Sequence, residues 1–230
     1  MYLLYIANKN YSSWSLRPWV LMEVLGIPFE ERVMPFGEGA NPHDFRKFAP
    51  NGKVPCLHEG PTVVWDSLAI VEYLAERHPG VWPADAAARA FARSAAAEMH
   101  SGYGALRQIC SMTCGLKVRL HKIDAGLQGD LRRLEELWRE GLSRFGGPYL
   151  AGSKFSAVDA FFAPVAFRIQ TYGLQLGQPA MDYAARLLAL PAMQKWYEAA
   201  LAEAWRDTGH ERETLEVGTV IQDLRAPAGQ

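Results

Sequence analysis

Residues 51–73 read NGKVPCLHEGPTVVWDSLAIVEY and decide how the first part of the chain folds. The run from Lys53 to Leu57 is short and apolar, with Pro55 inside it. Because proline cannot donate a hydrogen bond to a sheet ladder, it belongs at the start of a strand rather than in a central one. Gly60 and Pro61 indicate a turn, and the β-branched residues after them predict a second strand. The stretch therefore predicts a β-hairpin.

A helix with polar residues at its start follows the hairpin. Asp66 and Ser67 stand directly before an apolar run with helical spacing, in the positions that capping residues favour. A helix N-terminus attracts anions, so Ser67 is expected to bind a carboxylate through its hydroxyl and its N–H group. Asp66 carries the opposite charge and is expected to hold an ammonium group of the same ligand.

A cis peptide bond before Pro55 is expected to turn the backbone of Val54 outward. The N–H and C=O groups of Val54 would then be free to pair with an extended, peptide-like ligand as an added strand. The alternative is an ordinary hairpin followed by a capped helix, with no ligand at either. The residues of this stretch by themselves leave both interpretations open.

The elements predicted around the hairpin complete an α/β unit at residues 1–80. The first helix is expected to begin near Ser15 or Leu16, because Pro18 fits only into a first turn. With strands at 2–7 and 29–34 and a short helix at 41–48, the order is β-α-β-α-β-β-α. This order, with a proline opening the third strand, resembles a thioredoxin-like fold.

The second half of the chain, residues 86–215, is predicted to be all-helical after a linker at 81–85. Ser156-Ala157-Val158-Asp159 forms a capping box before an almost wholly apolar stretch, which predicts the central helix of a second domain. The sequence becomes polar from Thr208, and the tail at 216–230 is expected to be frayed.

Composition excludes several classes of partner. The 230 residues are 49% hydrophobic with a formal net charge of −1, which argues against nucleic acid or an anionic membrane as the main partner. No apolar run reaches the roughly 20 residues of a membrane span, and the first residues lack the features of a secretory signal. The three cysteines lack metal-site spacing with histidine, which predicts a cytoplasmic protein without a metal.

Two groups of residues resemble the soluble glutathione transferases, and most of all their zeta and theta members. The first is Val54-Pro55, the hairpin and Asp66-Ser67-Leu68-Ala69-Ile70 with Glu72-Tyr73-Leu74; the second is Tyr149-Leu150-Ala151-Gly152 with Ser156 and Asp159. The resemblance implies a thioredoxin-like domain followed by an all-α domain. It also implies glutathione as co-substrate, no metal, and a homodimer.

The run Ser12-Ser13-Trp14-Ser15-Leu16-Arg17 is similar to the Ser-Ser-Cys-Ser-Trp-Arg run of zeta enzymes, in which the first serine contacts the thiol. Glutathione attacks as its thiolate, which a hydroxyl donor and a helix N-terminus both favour. The similarity implies Ser12 as the catalytic residue and Ser13 as the second candidate. Trp14 stands where zeta enzymes have cysteine. The alternative is that these serines only cap the helix.

The resemblance also implies which residues surround the two substrates. Glutathione would contact Val54, Pro55, Asp66 and Ser67, and its glycine carboxylate would meet Lys53 or His43. The electrophilic second substrate would lie between the start of the first helix and the second domain. The candidates for that pocket are Tyr11, Trp14, Tyr103, Arg107, Met112, Phe167 and Arg168.

The predicted function is a glutathione transferase whose activated thiol attacks a small hydrophobic electrophile. One alternative is a glutathione-dependent cis–trans isomerase of a maleyl-type diacid. In zeta isomerases an arginine at the place of Thr171 meets a substrate carboxylate, and here Arg168 would have to substitute for it. Another alternative is a protein that binds glutathione or a hydrophobic ligand without turnover. A thiol oxidoreductase is disfavoured, since no cysteine stands at the first helix.

Overall fold

The computed structural model describes residues 1–36 and 42–227, apart from the side chains of Pro42 and His43. Its first part has the predicted order of strands and helices. The elements are β1 (Tyr2–Ile6), α1 (Ser13–Leu25), β2 (Phe29–Val33), α2 (Pro42–Phe45), β3 (Cys56–Glu59), β4 (Thr62–Val64) and α3 (Ser67–Ala75). Helix α1 begins at Ser13 and therefore holds Pro18 in its second turn, so the expected later start is wrong by two residues.

The four strands of the first part form one mixed sheet in the order β2-β1-β3-β4. Strand β1 is parallel to β2, and α1 makes the crossover that a parallel pair requires. Strand β1 is antiparallel to β3, which begins directly after Pro55, and the Val54–Pro55 peptide bond is cis. In this thioredoxin-like arrangement, the start of α1 and the segment before β3 lie on the same side of the domain, where they line one cavity.

The second part is built mainly of helices around α7. Its elements are α4 (Ala86–Ser101), α5 (Gly104–Ile109), β5 (Leu116–Leu120), α6 (Ala125–Arg144), α7 (Ala157–Tyr172), α8 (Gln178–Leu188), α9 (Pro191–Ala202), α10 (Thr208–Val217) and β6 (Gly218–Asp223). Nearly every side chain of α7 is buried, and α7 packs against α1, α4 and α8. It is therefore the central helix that its capping box predicts, and it also joins the two halves. None of the helices in the described ranges is long and apolar enough to cross a bilayer.

The C-terminal segment differs from its prediction. Strands β5 and β6 pair antiparallel, with Val118 opposite Val220, and α10 precedes β6. The expectation of a frayed tail is therefore wrong as far as residue 227. The β-branched run Thr219-Val220-Ile221 is a strand signal, and β5 supplies a partner for it 98 or more positions earlier in the chain, beyond the reach of local patterns.

Candidate functional site

A cavity of about 530 Å³ lies between the start of α1 and the helices of the second part. The sheet domain contributes Tyr11, Ser12, Ser13 and Trp14 from the start of α1, and Lys53 and Val54 from the segment before β3. The helices contribute Arg107, Ser111 and Met112 at α5 and after it, Arg168 from α7, and His210 and Glu213 from α10. The cavity is thus lined by part of each predicted substrate region.

Ser12 has a hydroxyl that is not used to cap α1. It occupies the N-cap position, but within the described residues its side chain makes no capping hydrogen bond and instead donates to Oγ of Ser15 over 2.7 Å. Ser12 and Ser13 are both buried and both line the cavity. This geometry argues against the alternative that Ser12 only caps α1.

Asp66 caps α3, so the side chain of Ser67 is not needed for capping. Oδ1 of Asp66 accepts hydrogen bonds from the N–H groups of Leu68 and Ala69, and Oδ2 lies 3.2 Å from Nε2 of His100. The side chain of Ser67 is fully buried, and its hydroxyl has no partner among the described residues. An unpaired buried hydroxyl destabilises the folded state by about 1–3 kcal/mol. The Ser67 hydroxyl at the start of α3 therefore does not stabilise the fold.

The candidates for glutathione contacts divide between the cavity wall and its surroundings. Lys53 and Val54 line the cavity, whereas Pro55 is buried beside them. Asp66 and Ser67 lie outside the wall, at the N-terminus of α3. The side chain of His43 is outside the described residues, so its predicted contact stays a prediction.

Five of the seven predicted second-substrate residues line the cavity, namely Tyr11, Trp14, Arg107, Met112 and Arg168. Tyr103 and Phe167 are not among the residues that line this cavity. Tyr103 is buried and donates its hydroxyl to Glu98 over 3.2 Å. Phe167 is stacked on Tyr197 with ring centroids 5.9 Å apart.

Three arginines give this region a positive charge. Within the described residues, none of Arg17, Arg107 and Arg168 forms an ion pair with a carboxylate. The guanidinium of Arg17 lies 4.0 Å from the Trp14 ring centroid, and Nε of Arg168 donates to the carbonyl of Cys110 over 2.7 Å. Burial, then repulsion from the other arginines, lowers the pKa of Arg17, and burial lowers the pKa of Arg168 to about 10. The cavity wall therefore suits an anion.

The cysteines of the chain offer no nucleophile. Cys56, Cys110 and Cys114 are all fully buried. Burial raises the pKa of the Cys56 thiol to about 11 and that of Cys110 to about 12, so both remain protonated at neutral pH. Among the described residues, no group of His, Cys, Asp and Glu is arranged to hold a metal ion. A nucleophile at Ser12 would have to come from a ligand.

Helix α10 carries cavity residues that the sequence prediction missed. The ring of His210 is stacked on that of Tyr11 with centroids 5.0 Å apart, and Glu213 lines the same wall. The hydroxyl of Tyr11 donates to Glu211 over 2.6 Å, and burial followed by this bond raises the pKa of Tyr11, so its hydroxyl is already engaged. A sequence signal existed, since Asp207 is a capping residue before a run that favours a helix.

Comparison with known proteins agrees with this geometry. Residues 11–77 match the family described as "Glutathione S-transferase, N-terminal domain", and residues 84–199 match "Glutathione S-transferase, C-terminal domain". The chain is 31% identical over 200 residues to a probable maleylacetoacetate isomerase of Vibrio cholerae, covering 79% of this chain and 89% of that one. It is 28% identical over 185 residues to Glutathione S-transferase 1 of Dianthus caryophyllus, covering 76% and 80%.

A solved structure has the same fold as this chain and a sequence identity close to that of these relatives. It is the theta-class glutathione S-transferase of Xanthomonas axonopodis pv. citri with glutathione bound, which matches at a TM-score of 0.64 and 25% identity over 85% of this chain and 96% of that one. The family matches span both halves of the chain, and the structural match spans the sheet domain and the helical domain together. The chain belongs to the glutathione S-transferase family.

Proposed function

We propose that the chain binds glutathione with its thiol beside Ser12 and activates that thiol for attack on a small hydrophobic electrophile. The observation that carries this proposal is the buried Ser12 hydroxyl, which lines the cavity and makes no capping bond among the described residues. The Ser12 hydroxyl donates to a thiolate once it rotates away from Oγ of Ser15, which then donates to Ser12 in turn. The N-terminus of α1 adds a favourable dipole. The apolar side chains of Trp14 and Met112 then face the second substrate.

The rest of the glutathione molecule would occupy the segment before β3 and the start of α3. Its γ-glutamyl carboxylate meets the hydroxyl and N–H of Ser67, its ammonium group meets Asp66, and its backbone pairs with Val54. Lys53, which is exposed at the cavity, meets the glycine carboxylate. The unpartnered Ser67 hydroxyl supports this direction of binding, because the carboxylate would satisfy it.

The test is the reaction of glutathione with a chlorodinitrobenzene, together with calorimetry of glutathione binding. We expect glutathione to bind and the arylated thioether to form faster with the protein than without it. S-methylglutathione is the matched control, because it keeps every contact outside the sulfur but has no thiol to ionise; it is expected to bind and not react. Binding of glutathione without turnover of any of several electrophiles would favour the non-catalytic alternative, and no binding would refute the site.

A second candidate function is supported by Arg168. Its side chain lines the cavity, whereas Thr171 is buried and donates its hydroxyl to the carbonyl of Thr113 over 2.8 Å. A guanidinium facing the second substrate suits a carboxylate, and the similar Vibrio cholerae protein is named a probable maleylacetoacetate isomerase. The discriminating measurement is turnover of maleylacetoacetate beside that of the chlorodinitrobenzene. Arg168→Met would lower only the former if Arg168 binds a substrate carboxylate, and equal loss of both would contradict that role.

We also propose that the chain forms a homodimer in the cytoplasm, with its domains divided at residues 81–85. Trp65, directly after β4, is 42% exposed, and we place the partner chain against this side chain. Three buried, unpaired cysteines suit a reducing compartment. Sedimentation velocity should give the mass of two chains for the wild type, and Trp65→Glu should shift it towards one; a wild-type monomer would contradict the dimer.

A further inference from the structure

The proposed reaction releases the proton of the glutathione thiol, which a side chain of the cavity wall can accept faster than water does. Ser12 cannot be that group, since a hydroxyl that stabilises a thiolate donates to it. Lys53, Arg107 and Arg168 are cations and accept no hydrogen bond. In the part of the cavity wall that the structure describes, the side chains that carry an imidazole or a carboxylate are those of His210 and Glu213.

His210 is held in a defined orientation. Its ring lies between those of Tyr11 and Phe36, with centroids at 5.0 Å and 5.3 Å and interplanar angles of 23° and 30°. Its Nδ1 lies 2.7 Å from Oδ1 of Asp207, which also accepts the backbone N–H of His210 as the cap of α10. The Asp207 side chain is only 13% exposed, so this contact is shielded from water.

The tautomer of His210 follows from its partner. An ionised carboxylate only accepts hydrogen bonds, so the Nδ1 atom next to Asp207 carries the proton. The lone pair of the neutral ring is then on Nε2, on the edge away from Asp207. His210 stacks on Tyr11, the residue directly before Ser12, and both His210 and Ser12 line the cavity.

We propose that His210 is the general base of this reaction and that Asp207 is its positioning residue, an inference that rests on the proposed function. Nε2 of His210 takes the proton of the glutathione S–H group, and the electron pair of that bond stays on sulfur. The sulfur forms a bond to the electrophilic carbon, and the leaving group departs with its bonding pair. Asp207 stabilises the imidazolium, which returns its proton to water at the cavity opening.

The charges around His210 favour it over Glu213. On its own helix it faces Asp207, and Glu213 lies in the same wall. Glu211, also on α10, accepts a hydrogen bond from the Tyr11 hydroxyl. From the other elements, the ionisable groups are the Tyr11 hydroxyl and its partner Arg225, and Lys53 and Arg107 in the cavity wall. The Glu213 carboxylate is exposed, and in the described residues no hydrogen bond orients it. A base that is not held in place contributes less to a proton transfer.

His210→Phe tests the base while keeping an aromatic ring between Tyr11 and Phe36. General bases typically contribute about 10²–10⁴ in rate, and a thiol already ionises partly by itself, so we expect kcat/KM for a chlorodinitrobenzene to fall about 10²-fold near neutral pH. The dissociation constant of glutathione should stay unchanged. The pH at which bound glutathione ionises, read from its thiolate absorbance, should rise. Glu216→Gln, on the same helix but outside the cavity wall, is the control and should match the wild type.

Two further variants separate chemistry from structure. With His210→Ala, added imidazole should restore part of the rate, a response that a stacking role would not give. Asp207→Asn keeps the cap of α10, because asparagine is an equally good capping residue. It removes the charge that stabilises the imidazolium, so the acid limb of the pH–rate profile should move to lower pH.

The outcomes distinguish this inference from the function on which it rests. If wild-type protein fails to bind glutathione, the proposed function falls and the inference falls with it. If glutathione binds and turns over while His210→Phe keeps the wild-type rate and pH profile, only the role of His210 is refuted. If the acid limb of the pH–rate profile disappears in Glu213→Gln and persists in His210→Phe, Glu213 and not His210 is the general base.

Discussion

The hydroxyl of Tyr11 donates a 2.6 Å hydrogen bond to Oε1 of Glu211, 200 positions later in the chain. The guanidinium of Arg225 donates to both oxygens of Glu211, to the Tyr11 hydroxyl and to Asp223, and its side chain is only 4% exposed. These bonds link Tyr11, just before α1, to α10 and to Asp223 and Arg225 at and after the end of β6. The wall that α10 contributes to the cavity therefore depends on them.

This network predicts that acid loosens the C-terminal segment. Burial raises the pKa of Glu211, but the bonds from Arg225 and Tyr11 outweigh burial and lower it below its ordinary value of 4.5. A lowered folded-state pKa contributes stability above the unfolded pKa, and this is lost as the pH falls through the folded pKa. Hydrogen exchange of α10 and β6 should therefore accelerate below pH 4.5, well before that of α7. Glu211→Gln should remove this dependence, and an equal change in α7 would contradict it.

Ser67→Ala is predicted to weaken glutathione binding without harming the fold. A hydrogen bond to a charged group contributes roughly 1.5–3 kcal/mol, so the dissociation constant should rise about tenfold or more. The Ser67 hydroxyl has no partner among the described residues, so its removal should leave the free energy of unfolding equal or higher. Calorimetry and urea denaturation measure the two effects. An unchanged dissociation constant would place the carboxylate elsewhere.

Ser12→Ala is predicted to lower turnover and leave glutathione affinity nearly intact. Loss of one donor to an anion in a preorganised site costs on the order of 10²–10³ in rate. Here the N-terminus of α1 shares the task, so we expect a loss of about 10-fold to 100-fold and a raised pKa of bound glutathione. Ser13→Ala is the matched control and should lose much less. Inactivity of Ser13→Ala beside an active Ser12→Ala would exchange the two roles.

Asp159→Ala is predicted to destabilise the whole protein. The Asp159 carboxylate is fully buried and accepts bonds from the N–H groups of Leu150 and Ser156 and from the hydroxyl of Tyr183. Each buried donor left unpaired costs about 1–3 kcal/mol, so the free energy of unfolding should fall by about 3 kcal/mol or more. Denaturation of both proteins in urea measures it. Asp182→Ala, which removes an exposed aspartate of α8, is the control.

The same variant carries a pH signature. Burial raises the pKa of Asp159 from 3.8 to about 6, against the effect of its three donors. A raised folded-state pKa contributes stability that is fully present below 3.8 and declines as the pH rises through about 6. The difference in stability between wild type and Asp159→Ala should therefore be larger near pH 4 than near pH 7. A difference that grows with pH would show that the donors dominate.

Several features could be predicted from the sequence because a few adjacent residues decide them. A strand start after Pro55 follows from its missing N–H group, and the start of α3 from Asp66, whose side chain caps it. The capping box of Ser156 and Asp159 predicted the buried α7. The serines at the start of α1 were identified through their similarity to the Ser-Ser-Cys-Ser-Trp-Arg run of zeta enzymes. These features depend on residues that are close in the sequence, so the sequence pattern alone predicts them.

Tertiary structure alone decided which of these residues meet. Apolar periodicity could not show that Arg168 faces the cavity while its neighbour Phe167 packs on Tyr197, because both positions are compatible with a buried helix. The sequence pattern also could not show that α10 forms part of the cavity wall. Its place beside Tyr11 depends on hydrogen bonds and stacking between residues about 200 positions apart, and on a β5–β6 pairing that neither strand specifies by itself. Contacts over such separations form only when the chain has folded, so the sequence determined the elements and the packing of the folded chain determined the site.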